Sequence, residues 1–453
     1  MNINDGISGI GSRAHIPSIT DATHKQDIGE KSGINPGTWT PFLDWDDIYP
    51  GNRGRTKTNT YELYDAPLGV SLEIEEGNPS EPVLQEDNVR NYQPYGIWEK
   101  DDKFHFLYER CPSEYGNEKN QSKQRYVCYA NSEDGYNWNF PDLKQVTDEP
   151  QPNNFLKTLP TGGPGFFEDT NTKNKNERFK YMLQEGGGFD VDTGKQLTDE
   201  EWQKRLKAQD YGGEFYEGPR MQFKHWITAF TSPDGINWKR HEKPVGHFPA
   251  DGGIASGYDH ATEQYFSYIR PTGVGKRAIA LTKTKDFSNW PSARLVQYPD
   301  ILDEPDLTFY GGNYFPYPER DDIHCMFVSV YHQIADTCDN QLAISRDGLY
   351  WNRFRDAITP LGPAGSGYEG MNRAWGGRLQ ILPDGHWATL LECQSYNHNY
   401  WETPKGQTYE PFPKKQGGQL RWWRWLPHRL AGITTKDKGE FTITDISRTQ
   451  KQL

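Results

Sequence analysis

No apolar run in the sequence approaches the roughly 18 residues that a membrane-crossing helix needs, so no segment reads as a transmembrane span. Aliphatic residues are sparse too. Hydrophobic residues make up 34% of the 453, and many of them are flat rings: 15 Trp, 26 Tyr and 21 Phe. Such a chain has little material for helical bundles and suits sheet packing and sugar stacking. Positive charge is in deficit, since 50 Lys and Arg against 63 Asp and Glu leave a net charge of −13, which argues against nucleic acid as a partner. Cysteine is scarce and odd in number. Cys111, Cys128, Cys325, Cys338 and Cys393 form neither a disulfide framework nor a Cys-x-x-Cys metal knuckle, and buried free thiols are expected, with Cys111 and Cys128 placed to bridge if any pair does. The N-terminus MNINDGISGIGSRAH lacks the charged-then-apolar pattern of an export signal, so a periplasmic or secreted location would require a leader removed beforehand.

What is present is a repeat. A seven-residue turn follows an apolar strand five times: SEDGYNW (132–138), SPDGINW (232–238), TKDFSNW (284–290), SRDGLYW (345–351) and the weaker TKDKGEF (435–441). A Ser or Thr is followed two residues later by Asp and then by an aromatic ring, the pattern of a β-turn stapled by side-chain oxygens. Ahead of each turn lies a hairpin that ends in an apolar run: FHFLYER, RFKYMLQE, QYFSYIR, HCMFVSVYH and HWATLLECQ. Five hairpins in register with five turns predict an all-β, five-bladed β-propeller.

Residues 1–60, rich in Gly, Asp, Asn and Pro, read as an extended N-terminal arm, and 61–453 as the propeller. A strand within 61–75 is expected to complete the last blade or extend its edge. Two long insertions interrupt the repeat. The first, 186–220, holds LTDEEWQKRLKAQ, a helix with Thr198 as N-cap and Glu201 closing a capping box. The second, 394–425, is rich in Trp, Tyr and Arg.

Alternating strand direction places the start of each innermost strand and the end of each second strand on one face, and the Asp-bearing turns on the other. On the first face stand Asp251, Asp306 with Glu304 beside it, and Glu369; Asp87 and Arg90 precede the first blade. At or just beyond the ends of second strands come Arg270, His332, Glu392 and His398, together with Glu109, Arg110 and Glu185. Glycoside hydrolysis needs one carboxyl group that delivers a proton and one carboxylate that serves as base or nucleophile. Acids crowded at a mouth among arginines can divide those roles.

The segments DGGIASGYDHATEQYFSYIR, DEPDLTFYGGNYFPY, QLAISRDGLYW and GSGYEGMN resemble the five-bladed β-propeller glycosidases of glycoside hydrolase families 32, 43, 68, 117 and 130, above all bacterial proteins described as family-32-like at their N-terminal domain. The resemblance covers about residues 80–440. It implies chemistry by acids at the starts of innermost strands, here Asp251, Asp306 and Glu369. The Trp-Met-Asn-Asp-Pro-Asn motif of invertases is absent, so sucrose or fructan cleavage is not expected. The expectation is an exo-acting glycoside hydrolase in which Glu369 is the general acid, Asp251 the base or nucleophile and Asp306 a substrate-fixing acid, with Glu392 able to exchange roles with Glu369. Arg90, Arg270, Arg373, His332 and His398 are candidate sugar contacts, and Tyr310, Trp375 and Trp401 candidate stacking rings. No cofactor is required, although acids and His332 leave room for a divalent cation in the central channel. A uronate lyase using His332, His398 and Arg270, or a non-catalytic glycan-binding propeller, are the alternatives.

Overall fold

The structure, a computed structural model, describes residues 41–55, 61–86, 89–112, 125–210, 221–252, 254–271, 276–398 and 418–443. Strand dominates. Three four-stranded antiparallel sheets (I to III) and one ten-stranded sheet, described below in two antiparallel parts (sheets IV and V), follow one another along the chain, with two two-stranded pairs besides. Sheet I comprises Val89–Lys100, Lys103–Pro112, Tyr126–Ser132 and Phe155–Leu156, and sheet II comprises Gly165–Glu168, Phe179–Asp190, Met221–Ser232 and Lys239–Arg240. Sheet III comprises Ala255–Asp259, Gln264–Ile269, Ile279–Thr284 and Arg294–Gln297; sheet IV comprises Leu307–Tyr317, Arg320–His332, Thr337–Ser345 and Asn352–Thr359.

Sheet V is put together differently. Met371–Arg373 and Gln380–Ile381 share its inner position, followed by Trp387–Gln394 and Gln419–Trp425. Its outer edge comes from the other end of the chain, where Asn78–Pro79 and Leu84–Gln85 pair with Gln419–Trp425. The strands within 61–75 do not do this: Tyr61–Tyr64 pairs with Asn52–Arg55, and Ser71–Ile74 pairs with Ala431–Thr434. A single parallel bridge, Cys338 to Met371, joins sheets IV and V.

Apolar clusters join each sheet to the next, and sheet V to sheet I. Tyr95, Trp98 and Leu107 of sheet I meet Phe166, Tyr181 and Phe230 of sheet II. Sheet II meets III through Phe167, Met182, Ile254 and Tyr265, and III meets IV through Phe266, Tyr268, Phe309 and Met326. Sheet IV meets V through Phe315, Phe327, Trp423 and Trp425, and V returns to I through Leu390, Trp422, Tyr92 and Phe106. Each middle strand is thus buried on both faces, which is why HCMFVSVYH is a nearly continuous apolar run: Cys325 and Phe327 face sheet V while Met326, Val328 and Val330 face sheet III.

The turns behave as their residues require in four of the five copies. At 232–238 the Asp234 carboxylate accepts from the amides of Ile236 (2.9 Å) and Asn237 (2.8 Å), and Ser232 Oγ accepts from Gly235 N (2.9 Å). Gly235 sits at φ +80°, the left-handed region that glycine enters without strain. In the equivalent turn of sheet I, burial pushes the Asp134 carboxyl upward, but the Asn137 amide and side chain outweigh it and bring the pKa down to about 2. The fifth marker is not stapled this way. Glu440 bridges to Leu68, and Phe441 packs edge-on against Phe42 at 5.6 Å.

Both insertions differ from the expected loops. Phe179–Asp190 and Met221–Ser232 pair along their whole length, so 186–190 prolongs a hairpin; beyond it the helix Asp199–Asp210 begins with the capping box, Thr198 N to Glu201 Oε2 at 2.9 Å and Glu201 N to Thr198 Oγ1 at 3.2 Å. Gln419–Trp425 is no loop but the third strand of sheet V. All five cysteines are buried free thiols, and Cys111 and Cys128 do not bridge.

Candidate active site

At or near the end of the second strand in sheets I, III, IV and V, and midway along it in sheet II, stands a charged side chain with a partner of opposite sign. Glu109 accepts from Arg125 Nε at 2.7 Å, and Glu185 from Arg240 at 2.7 Å. Arg270 lies 3.1 Å from Asp251, His332 3.0 Å from Asp339, and Arg373 2.6 Å from Glu392. In sheets I, III, IV and V the same end of the sheet carries charge, whereas in sheet II the pair lies midway along the strand.

The densest part spans sheets III, IV and V. Glu392 is fully buried and accepts from Arg373 (2.7 and 2.6 Å to Nη2), the Trp375 indole N–H (2.8 Å) and the Gln394 amide (2.5 Å). Every one of these partners is a donor, so the carboxylate is an acceptor on all sides. Burial pushes the Arg373 guanidinium down, but Glu392 more than offsets this and holds it above its ordinary value. Glu392 therefore fixes Arg373 and Trp375 in place.

Tyr310 stands beside them. Its ring meets Trp375 edge-on at 5.8 Å and its hydroxyl bonds His398 Nε2 at 2.7 Å. Arg270 lies over the ring at 4.5 Å and donates from Nη1 to the Tyr310 carbonyl at 2.6 Å. Asp251 is the accessible acid of the group: its side chain is 52% exposed, against 7% for its partner Arg270. Next to it Gly252 turns at φ +68°, where an added Cβ would already be in contact with Arg270, the Gly162 carbonyl and Trp375. Backbone and arginine thus close in around the Asp251 turn.

The other predicted residues sit elsewhere. Asp306 accepts from Ile334 N at 2.9 Å and so closes the turn after the second strand of sheet IV. Glu304 is largely exposed and 3.9 Å from His332. The Asp339 hydrogen bond, opposed by burial, raises the His332 pKa above its ordinary value. Glu369 accepts from Gly365 N (2.9 Å), Gly367 N (2.7 Å) and Ser366 Oγ (3.3 Å), all within its own loop. Among the described residues no hydrogen bond or ion pair joins Asp251, Asp306 and Glu369 to one another. Arg90 is buried, with its carbonyl accepting from Tyr396. Asp87 and Trp401 lie outside the described residues. Among those described, no group of three or more His, Cys, Asp or Glu side chains is arranged to hold a metal ion.

Three participants were missed by the sequence reading: Arg125, Asp339 and Arg277, which lies over both Tyr310 (5.3 Å) and Tyr331 (5.5 Å). Each stands at or near the start of a third strand, which lies on the same face as the end of the second. Extending the topological rule by one strand would have found them.

No family model matches the chain, and no curated protein does. Solved structures similar to it include a glycoside hydrolase (11% identity, covering 78% of this chain and 92% of that one, TM-score 0.45). An N-acetylgalactosamine deacetylase from F. plautii, in complex with blood group B trisaccharide, is similar at 12% identity, 80% and 97% coverage and TM-score 0.44. The Bombyx mori GH32 β-fructofuranosidase BmSUC1 is similar at 11% identity, 84% and 66% coverage and TM-score 0.42. The three are named for different activities.

Proposed function

We propose that the five sheets are the blades of a five-bladed β-propeller and that the protein is a glycoside hydrolase whose reacting carboxylate is Asp251. The packing of each sheet on the next, and of sheet V on sheet I, supports the first part. One observation carries the second: a half-exposed carboxylate held 3.1 Å from a buried arginine, beside the rings of Tyr310 and Trp375 and a second fixed arginine, Arg373. Such a group can act as base or nucleophile at a sugar carbon while the rings take its apolar face. Glu392, accepting on all sides, positions Arg373 and Trp375. Glu369 and Asp306 remain the rim acids for proton delivery and sugar positioning. The first insertion, with the helix Asp199–Asp210, leaves the chain beyond a second strand, which favours a pocket and exo action.

The test is chromatography of products from a panel of plant and algal oligosaccharides. Asp251→Asn should lower kcat/KM by about 100-fold or more, with substrate still bound. Glu369→Gln should lose most on poor leaving groups and least on activated aryl glycosides. Full activity in Asp251→Asn would remove the assignment.

A second reading is favoured by the Tyr310–His398 hydrogen bond beneath arginines: β-elimination from a uronate, with Tyr310 as base. A product absorbing in the ultraviolet, in place of a simple new reducing end, would establish it.

A further inference from the structure

Three guanidinium groups surround the single ring of Tyr310: Arg270 at 4.5 Å, Arg373 at 5.1 Å and Arg277 at 5.3 Å. Two have acidic partners, Asp251 for Arg270 and Glu392 for Arg373. Arg277 has none among the described residues. It is partly exposed, and its contacts are the faces of Tyr310 and Tyr331. The neighbouring Arg270 adds a second deficit: its Nε is buried with no hydrogen-bond partner. Further out, Asp336 accepts from the Tyr331 hydroxyl at 2.8 Å and lies 4.0 Å from His398, so Arg277 is the guanidinium at this ring that no carboxylate among the described residues meets directly. Ring quadrupoles relieve only part of the mutual repulsion. What completes the arrangement is another anion, arriving from outside on the exposed side, where Asp251, Tyr310 and Arg277 all keep accessible surface.

We propose that Arg277 and Arg270, backed by Tyr310, form a subsite for an anionic substituent of the glycan, a carboxylate or a sulfate ester. Planar N–H pairs suit both groups, and either would give Arg277 the acidic partner it lacks. This deepens the glycoside hydrolase reading and rests on it for the glycan itself.

Titration calorimetry on the full-length protein tests the subsite without turnover, using glucuronic acid against glucose and galactose 6-sulfate against galactose. At least one charged sugar should bind about tenfold more tightly than its neutral counterpart. The preference should disappear in Arg277→Gln, persist in part in Arg277→Lys, and shrink as salt rises from about 0.05 to about 0.3 M. The uronate and sulfate arms separate the two sources of charge. Equal affinity for charged and neutral sugars, or a preference unchanged in Arg277→Gln, would overturn the proposal. Cleavage of neutral oligosaccharides without charge preference would sink the subsite and leave the hydrolase reading standing. Binding of charged sugars with no cleavage of any oligosaccharide would do the reverse.

Discussion

At the scale of single residues, the ion pairs divide by burial, and their consequences divide with them. Glu392 and Arg373 are both at most 4% exposed, so removing one strands the other in a low-dielectric interior. Glu392→Ala should cost about 3–5 kcal/mol in urea denaturation, and the double variant Glu392→Leu/Arg373→Met should recover most of that. Asp251 is half open to water, and in Asp251→Asn the buried Arg270 keeps an amide oxygen and the Tyr310 carbonyl as acceptors, so stability should shift by no more than about 1 kcal/mol and the loss of activity is not a loss of fold. His332 supplies a pH signature. Its pKa is raised by Asp339, so the stability contributed by that pair is fully present below the ordinary imidazole value and fades as pH climbs through the raised one. The melting-temperature gap between the protein and Asp339→Asn should be widest near pH about 5.5 and narrow toward pH about 9.

At the scale of elements, the stapled turns can be set against the copy that lacks the staple. Asp234 holds two backbone amides and the Asn237 side chain. Asp234→Ala should cost about 1–2 kcal/mol. Asp437→Ala, at the same place in the fifth marker, should stay within about 0.5 kcal/mol. Four of these turns, the hairpins of sheet III and the capping box at Thr198 were legible in the sequence, because each depends on a few neighbouring residues with defined chemistry. Gln419–Trp425 was not. Leu420 and Trp422 enter the cluster between sheets V and I while Trp423 and Trp425 enter that between IV and V, so both faces are buried and no polar alternation marks a strand. Trp422→Ala should cost about 3–5 kcal/mol for the same reason. The acids show the converse failure. Asp306 and Glu369 stand where the topology rule puts acids, yet each spends oxygens on amides of its own turn or of the adjoining one, and sequence alone does not distinguish a carboxylate that closes a loop from one that faces a ligand.

At the scale of the whole molecule, sheet V takes its outer edge from Asn78–Pro79 and Leu84–Gln85 and packs on sheet I through Leu390, Trp422, Tyr92 and Phe106. The edge residues and the strand they pair with lie at opposite ends of the chain. A ribosome releases the first long before the last, so the growing polypeptide has to carry an unsealed seam until Gln419–Trp425 has emerged. Sealing it is a contact of very large sequence separation, the slowest kind to form. Until then the rings of sheet I that this strand covers, Tyr92 and Phe106 among them, stay open, and the half-made protein depends on whatever shields exposed rings in the cell.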